Sequence, residues 1–151
     1  MINFELLYIF IFRTFSGVFL TVVLGFVGWL MIHPSFKQAM LDSELSGLMP
    51  VLVIGISAGV GASAAWWNTE IPRTLRWVYT AVILATALLS TWMAFQYGRG
   101  PRNFVFVTGK GMVPVIYLKE VLFATIFAAA IGGNLVGGVF YLYRAIMHRE
   151  I

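Results

Sequence analysis

Residues 121–143 read VLFATIFAAAIGGNLVGGVFYLY, a run of 23 residues without a charged side chain. At the helical rise of about 1.5 Å per residue such a run is roughly 34 Å long, slightly more than the hydrocarbon thickness of a bilayer. The run predicts a transmembrane helix. Its small residues recur four apart, Ala124, Ala128 and Gly132 on one line and Ala129, Gly133 and Gly137 on the next. In lipid no hydrophobic drive holds helices together, so small residues matter because they let two backbones approach closely. This helix is therefore expected to be the hub against which the others pack.

The rest of the chain agrees in character. Of 151 residues, 60% are hydrophobic and 11% charged, with a mean hydropathy of +0.90, where a soluble domain carries about a quarter charged residues. A single-domain integral membrane protein, residues 1–151, is the class that fits. The first apolar run, residues 14–32, is not followed by a small-x-small cleavage site, so it is expected to stay as a helix instead of leaving as a signal peptide. With no cysteine, disulfides, thiolate metal sites and a cysteine nucleophile fall away. None of the asparagines starts an Asn-x-Ser/Thr sequon, and a prokaryotic plasma membrane is the expected location. The net charge of +4 comes from residues that flank apolar runs, which points to anionic headgroups and away from nucleic acid.

Four spans are expected, at about 5–32, 47–67, 75–97 and 119–144, in an all-α antiparallel bundle. The first begins with a strongly apolar stretch interrupted by Arg13 and carries a packing line of Gly17, Thr21 and Gly25, with Gly28 close by. His33-Pro34 should end it. Ser35 and Gln38 have the spacing of a capping box, predicting a short interfacial helix from about Phe36 to Leu45 in the first loop. The second span has two small-residue lines, Gly55, Gly59, Ser63 and Ser57, Gly61, Ala65, hence two tight neighbours. Trp66 and Trp67 should close it at headgroup level. A short turn leads to the third span, whose Thr80, Thr86, Ser90 and Thr91 form no continuous stripe. Residues 98–111 are expected to be an irregular loop with one extended piece at 104–108, and residues 112–120 an interfacial lead-in to the hub.

Lys and Arg divide five against five between the two faces of this topology, so the positive-inside rule does not choose an orientation. The closer flanking of the first span by Arg13 tips the reading to termini in the cytoplasm.

Chemistry within the spans is sparse. The two histidines, His33 and His148, fall on opposite faces and cannot share a metal or haem, so no cofactor or metal is expected. No charge lies within the four spans as bounded by 14–32, 47–67, 77–97 and 121–143, which weighs against an ion-coupled transporter. Asn134, in GGNLVGG, is the sharpest polar feature. It is either a local unwinding at a substrate site or, the favoured reading, an interhelical hydrogen bond in a close-packed seam. Charged clusters remain at the ends. Glu70, Arg73, Arg76, Arg144, His148 and Arg149 could converge on the terminal side, with ordinary headgroup contacts as the favoured account. Arg99, Arg102 and Lys110 form a basic loop over anionic lipid or an acidic partner on the other side. Together with Arg13, Arg73, Arg76 and Arg144 these are the expected headgroup contacts, while Gly17, Gly25, Gly55, Gly59, Ser63, Ala128, Gly132, Gly133, Asn134 and Gly137 are the expected packing residues.

The function this implies is that of an accessory or assembly subunit of a larger membrane complex, or the protomer of a homo-oligomer, because the small-residue lines outnumber what a lone bundle needs. Its expected partners are lipids and other membrane subunits or copies of itself. A holin-like or small-solute pore formed by an oligomer is the alternative, and an interfacial lipid-modifying enzyme a third.

Overall fold

A computed structural model of the chain describes residues 4–41, 48–99, 103–109, 111–115 and 118–149. It contains four helices, α1 Phe4–Leu41, α2 Leu48–Ala65, α3 Arg73–Arg99 and α4 Leu118–Arg149, with strands β1 Asn103–Val107 and β2 Gly111–Val115 between α3 and α4. Three stretches are long and apolar enough to cross a membrane: Phe4–Ile32, Arg73–Tyr97 and Glu120–Met147, with mean hydropathies of 2.2, 1.7 and 1.8. Val51–Ala65 is a shorter apolar helix.

The connections bear on two expectations. The first span ends at a break, with non-helical dihedrals at Ile32 (φ −128°, ψ 17°), and a second helical piece follows it to Leu41, where a short helix from about Phe36 was expected. Pro34 has no amide donor for the helix ladder, and a proline inside a helix bends the chain just before itself, after which the helix resumes. The last part of the expected surface helix, residues 42–45, lies outside the described residues. The third loop is not irregular. β1 and β2 form an antiparallel hairpin in register Asn103↔Val115 to Val107↔Gly111, so residues 112–115 are a strand paired with the extended piece expected at 104–108. Gly109 and Gly111 take positive φ of 89° and 76° at its turn, a conformation that lacks steric cost only for glycine.

The helices pack in sequence order, each running opposite to the one before. On α1, Gly17 lies by Ala65, Gly25 by Ala58 and Gly28 by Ser57, so numbers rise on α1 as they fall on α2. Gly55 and Gly59 of α2 receive Leu88 and Leu84 of α3, and Gly133 of α4 sits by Ala87 and Ile83. α4 closes the ring against α1, where Gly138 meets Phe10 and Gly25 meets Ile126. Backbone approaches backbone most closely at Gly61, where a Cβ would stand 2.7 Å from the Leu20 carbonyl carbon and oxygen and 2.8 Å from the Thr21 nitrogen. Backbone there meets backbone, and only glycine fits.

The core changes size along its axis. At one end Ile54, Phe95, Val121, Leu122 and Ile126 fill it. In the middle it narrows to Ala58, Ala87 and Ala129. At the other end Ala62, Trp66 and Ile83 take over. The buried threonine hydroxyls are satisfied locally: Thr21, Thr91 and Thr125 each donate to the carbonyl four residues earlier, at 2.5, 2.7 and 2.6 Å. That is why the third span's threonines need no common stripe. Large apolar side chains point outward instead, among them Phe12, Phe15 and Phe19 on α1, Leu89 and Met93 on α3, and Phe127, Ile131 and Leu135 on α4.

Candidate functional site

The polar centre of the bundle is built around Asn134, which is 6% exposed. Its position on α4 follows from the small-residue line it interrupts: Ala130, Gly133 and Gly137 bring α4 close to its neighbours, and Asn134 points into the gap. Its Nδ2 donates to Thr21 Oγ1 on α1 at 3.1 Å and to the Ala130 carbonyl at 2.7 Å. Its Oδ1 accepts from Trp66 Nε1, just past the end of α2, at 3.0 Å. A Cβ on Gly17 would land on Asn134 Oδ1, so the absence of a side chain there admits the amide. One side chain thus ties α1, the end of α2 and α4, with three of the four hydrogen bonds an amide can make.

Trp66 is turned into the bundle, away from the surface that a headgroup contact would need. It is 7% exposed and packs over Gly137, whose Cβ would meet the indole ring, with Phe10 and Tyr141 centroids at 5.8 and 5.9 Å. Trp67 instead faces Trp77, edge to face at 5.4 Å. Two consecutive tryptophans stand about 100° apart around a helix, so both could not face outward equally. That spacing is the signal in the sequence for separating them.

The other packing residues fall as follows. Gly132 lies against Ser90, and Gly133 against Ala62. Ser63 is buried and its Oγ has no hydrogen-bond partner among the described residues. Ala128 is only half-buried and Ala124 is exposed, so the hub helix packs through the Ala129, Gly133, Gly137 line.

The terminal-side cations separate into different roles. Arg76 Nη2 donates to the Thr69 and Ile71 carbonyls at 3.2 and 3.0 Å, and its guanidinium stands 5.2 Å from the Trp67 ring centroid. It ties down the α2–α3 turn. Arg73 is exposed. Arg13 is half-buried, with its guanidinium carbon 5.1 Å from the Tyr141 ring centroid. Arg144 lines a recess with Trp66, Asn68, Tyr79 and Tyr141. Glu70 is exposed, and its backbone amide donates to Asn68 Oδ1 at 3.0 Å. The side chains of Arg99, His148 and Arg149, and the residues Arg102 and Lys110, lie outside the described set.

A wider opening lies between α1 and α4. It has a volume of about 680 Å³, its mouth included, and an almost wholly apolar lining, including Thr14, Val18, Ala130, Leu135, Gly138 and Val139, with Asn134 at its floor. The interior polar groups, an amide, hydroxyls and an indole, do not ionise near neutrality, and so hold structure without supplying an acid or base. Among the described residues no three His, Cys, Asp or Glu cluster as a metal site. No family model, curated protein or solved structure matches the chain.

Proposed function

We propose that the protein is an integral membrane protein whose four helices span a bilayer in alternating directions, and that it serves as an accessory or assembly subunit. The membrane reading is supported by the inversion of side-chain character: alanine, glycine and threonine meet inside while Phe15 (73% exposed), Ile131 (67%) and Leu135 (65%) stand outside. In water such a surface would aggregate; in hydrocarbon it is the matched solvent.

The observation that carries the subunit reading is the α1–α4 opening. The small-residue lines, expected to outnumber what a lone bundle needs, are used within the chain, since Gly17, Gly25, Gly55, Gly59, Gly61 and Gly133 abut another of its own helices and Gly137 abuts Trp66. Among the described residues they leave no unoccupied glycine face of that kind for a partner. The α1–α4 seam differs. It offers a groove with small residues on its floor and large ones, Leu135 and Val139, on its rim, the shape that accepts side chains of another membrane helix. A channel through the single chain has no support, because Ala58, Ala87 and Ala129 fill the middle of the bundle with no exposed surface.

The test is extraction in a mild detergent followed by identification of what remains bound. A stable particle with other membrane proteins is the expected result, and Val18→Trp with Val139→Trp, which fill the groove from its rim, should dissociate it. A particle of this chain alone that passes solutes in liposomes would refute the subunit reading and favour a pore.

A further inference from the structure

The hairpin between α3 and α4 is a sheet of two strands, so among the described residues each strand has a ladder partner on one side only. Its two outer edges are not alike. In an antiparallel ladder, pairs that exchange two hydrogen bonds alternate with pairs that exchange none, and the backbone groups of the unbonded pairs point outward. Pro114 has no amide hydrogen and stands opposite Phe104, which puts that pair in the unbonded set with the proline nitrogen on the outer side. The alternation then places Phe106↔Met112 in the same set, and Asn103↔Val115, Val105↔Val113 and Val107↔Gly111 in the bonded one. The outer edge of β2 therefore lacks a donor at Pro114. The outer edge of β1 is complete, because Phe104 and Phe106 each direct a backbone N–H and a C=O away from β2.

In hydrocarbon nothing meets such groups, so under the membrane reading the hairpin stands at or beyond the headgroups. A free edge is also where a further strand adds. Charge or proline within an edge strand guards against this, and β1, with the sequence NFVFV, has neither.

The surrounding charge selects the kind of strand. No Asp or Glu occurs between Glu70 and Glu120, whereas Arg99 and Arg102 precede β1 and Lys110 follows it by three residues. Covalent spacing alone holds the backbones of Arg102 and Lys110 within about 11 Å of the strand's ends. A second copy of β1 is a poor occupant. Paired antiparallel, it brings the cation before one strand up to the cation after the other; paired parallel, it sets each cation beside its counterpart. A lipid surface answers the charge but not the edge, since phosphate oxygens accept hydrogen bonds and leave the two outward carbonyls without a donor.

We propose that the outer edge of β1 takes up an extended acidic segment of a partner protein as a third strand, with Asp or Glu flanking an apolar centre. This gives the proposed subunit a docking point outside the bilayer, and it rests on the hairpin alone, whether or not the α1–α4 groove holds a helix.

The experiment presents the purified full-length protein, in nanodiscs of phosphatidylcholine, to a displayed library of random decapeptides. Binders are expected to be rich in Asp and Glu toward their ends and poor in proline. Phe106→Pro should weaken them by about fivefold or more, through loss of one outward amide, whereas Met112→Pro, which blocks the opposite edge, should stay within about twofold of the parent. Slow hydrogen exchange at the Val105 and Val113 amides shows that the ladder survives in both. Arg102→Glu with Lys110→Glu, which leaves the backbone edge untouched, should turn the selection toward Lys- and Arg-rich peptides. The inference is overturned if no peptide is enriched, if the binders carry no acidic excess or keep it after the charge reversal, if Phe106→Pro binds as the parent does, or if Met112→Pro costs as much. Binding of phosphatidylglycerol vesicles through the same cations, with no peptide enriched, would assign the face to lipid. A dimer that Phe106→Pro dissociates would assign it to a second copy. Either result overturns the proposal, while Val18→Trp with Val139→Trp tests the groove and not this edge.

Discussion

Replacing Asn134 with leucine tests whether the amide is the fastener the geometry describes. Leucine keeps the branching, so little cavity forms, and what is lost is polar. The Nδ2 bond to Thr21 Oγ1 at 3.1 Å disappears, and interhelical hydrogen bonds of this kind average about 0.6 kcal/mol with a maximum near 1.7. Thr21 is not orphaned, because its hydroxyl already donates to the Gly17 carbonyl. Loss of the bond to the Ala130 carbonyl costs little, since that oxygen belongs to the helix ladder. Trp66 is different. Its buried Nε1 loses its acceptor, and an unsatisfied buried donor costs about 1–3 kcal/mol. The sum is about 2–5 kcal/mol. Reversible unfolding of purified protein in mixed micelles, with the denaturing detergent fraction varied, measures it. A double-mutant cycle isolates the cause: with Trp66→Phe already present there is no indole to orphan, so Asn134→Leu should then cost about 1–2 kcal/mol less. A loss below about 0.5 kcal/mol, or single effects that add within about 0.5 kcal/mol, would refute the account.

Three further outcomes follow. Gly61→Ala should destabilise by about 1–3 kcal/mol through backbone overpacking, whereas Gly133→Ala, whose Cβ would meet the Ala62 methyl at 3.1 Å and no backbone, should cost clearly less in the same assay. Phe95→Ala should cost about 3–5 kcal/mol, because Phe95 is the largest side chain with no exposed surface among the described residues; a smaller loss would mean that end of the core collapses freely. Arg76→Ala should loosen the α2–α3 turn, seen as faster amide hydrogen exchange at residues 69–71 with the exchange of α1 unchanged.

Much of the helical layout is legible in the residues, and the reasons are physical. Long charge-free runs can satisfy their backbone only as helices, and α2 carries small residues on two sides because α1 and α3 both press against it. Asn134 could be read as an interhelical donor because an amide among glycines has few other uses. What stayed hidden depends on orientation. Periodicity offers two equivalent lines on α4, and only packing distinguishes the buried Ala129, Gly133, Gly137 line from Ala124 and Ala128. Trp66 suits an interfacial belt as well as a core. Val105 and Val113 pair across a hairpin whose turn rests on positive φ at Gly109 and Gly111, and glycine does not announce which sign of φ it takes. The pairing of Arg13 with Tyr141 joins positions 128 apart in the chain, beyond the reach of any local pattern.

The Thr21–Asn134 bond joins residues 113 positions apart, and this has a consequence for biosynthesis. A chain made from its N-terminus holds α1 and α2 long before α4 exists. Thr21 can wait, because it is content with its own helix's carbonyl, but the indole of Trp66 stays without its acceptor until α4 arrives. α4 is therefore also the clasp. A chain truncated before residue 134 should remain a loose set of helices, open to quality-control proteases for as long as that clasp is missing.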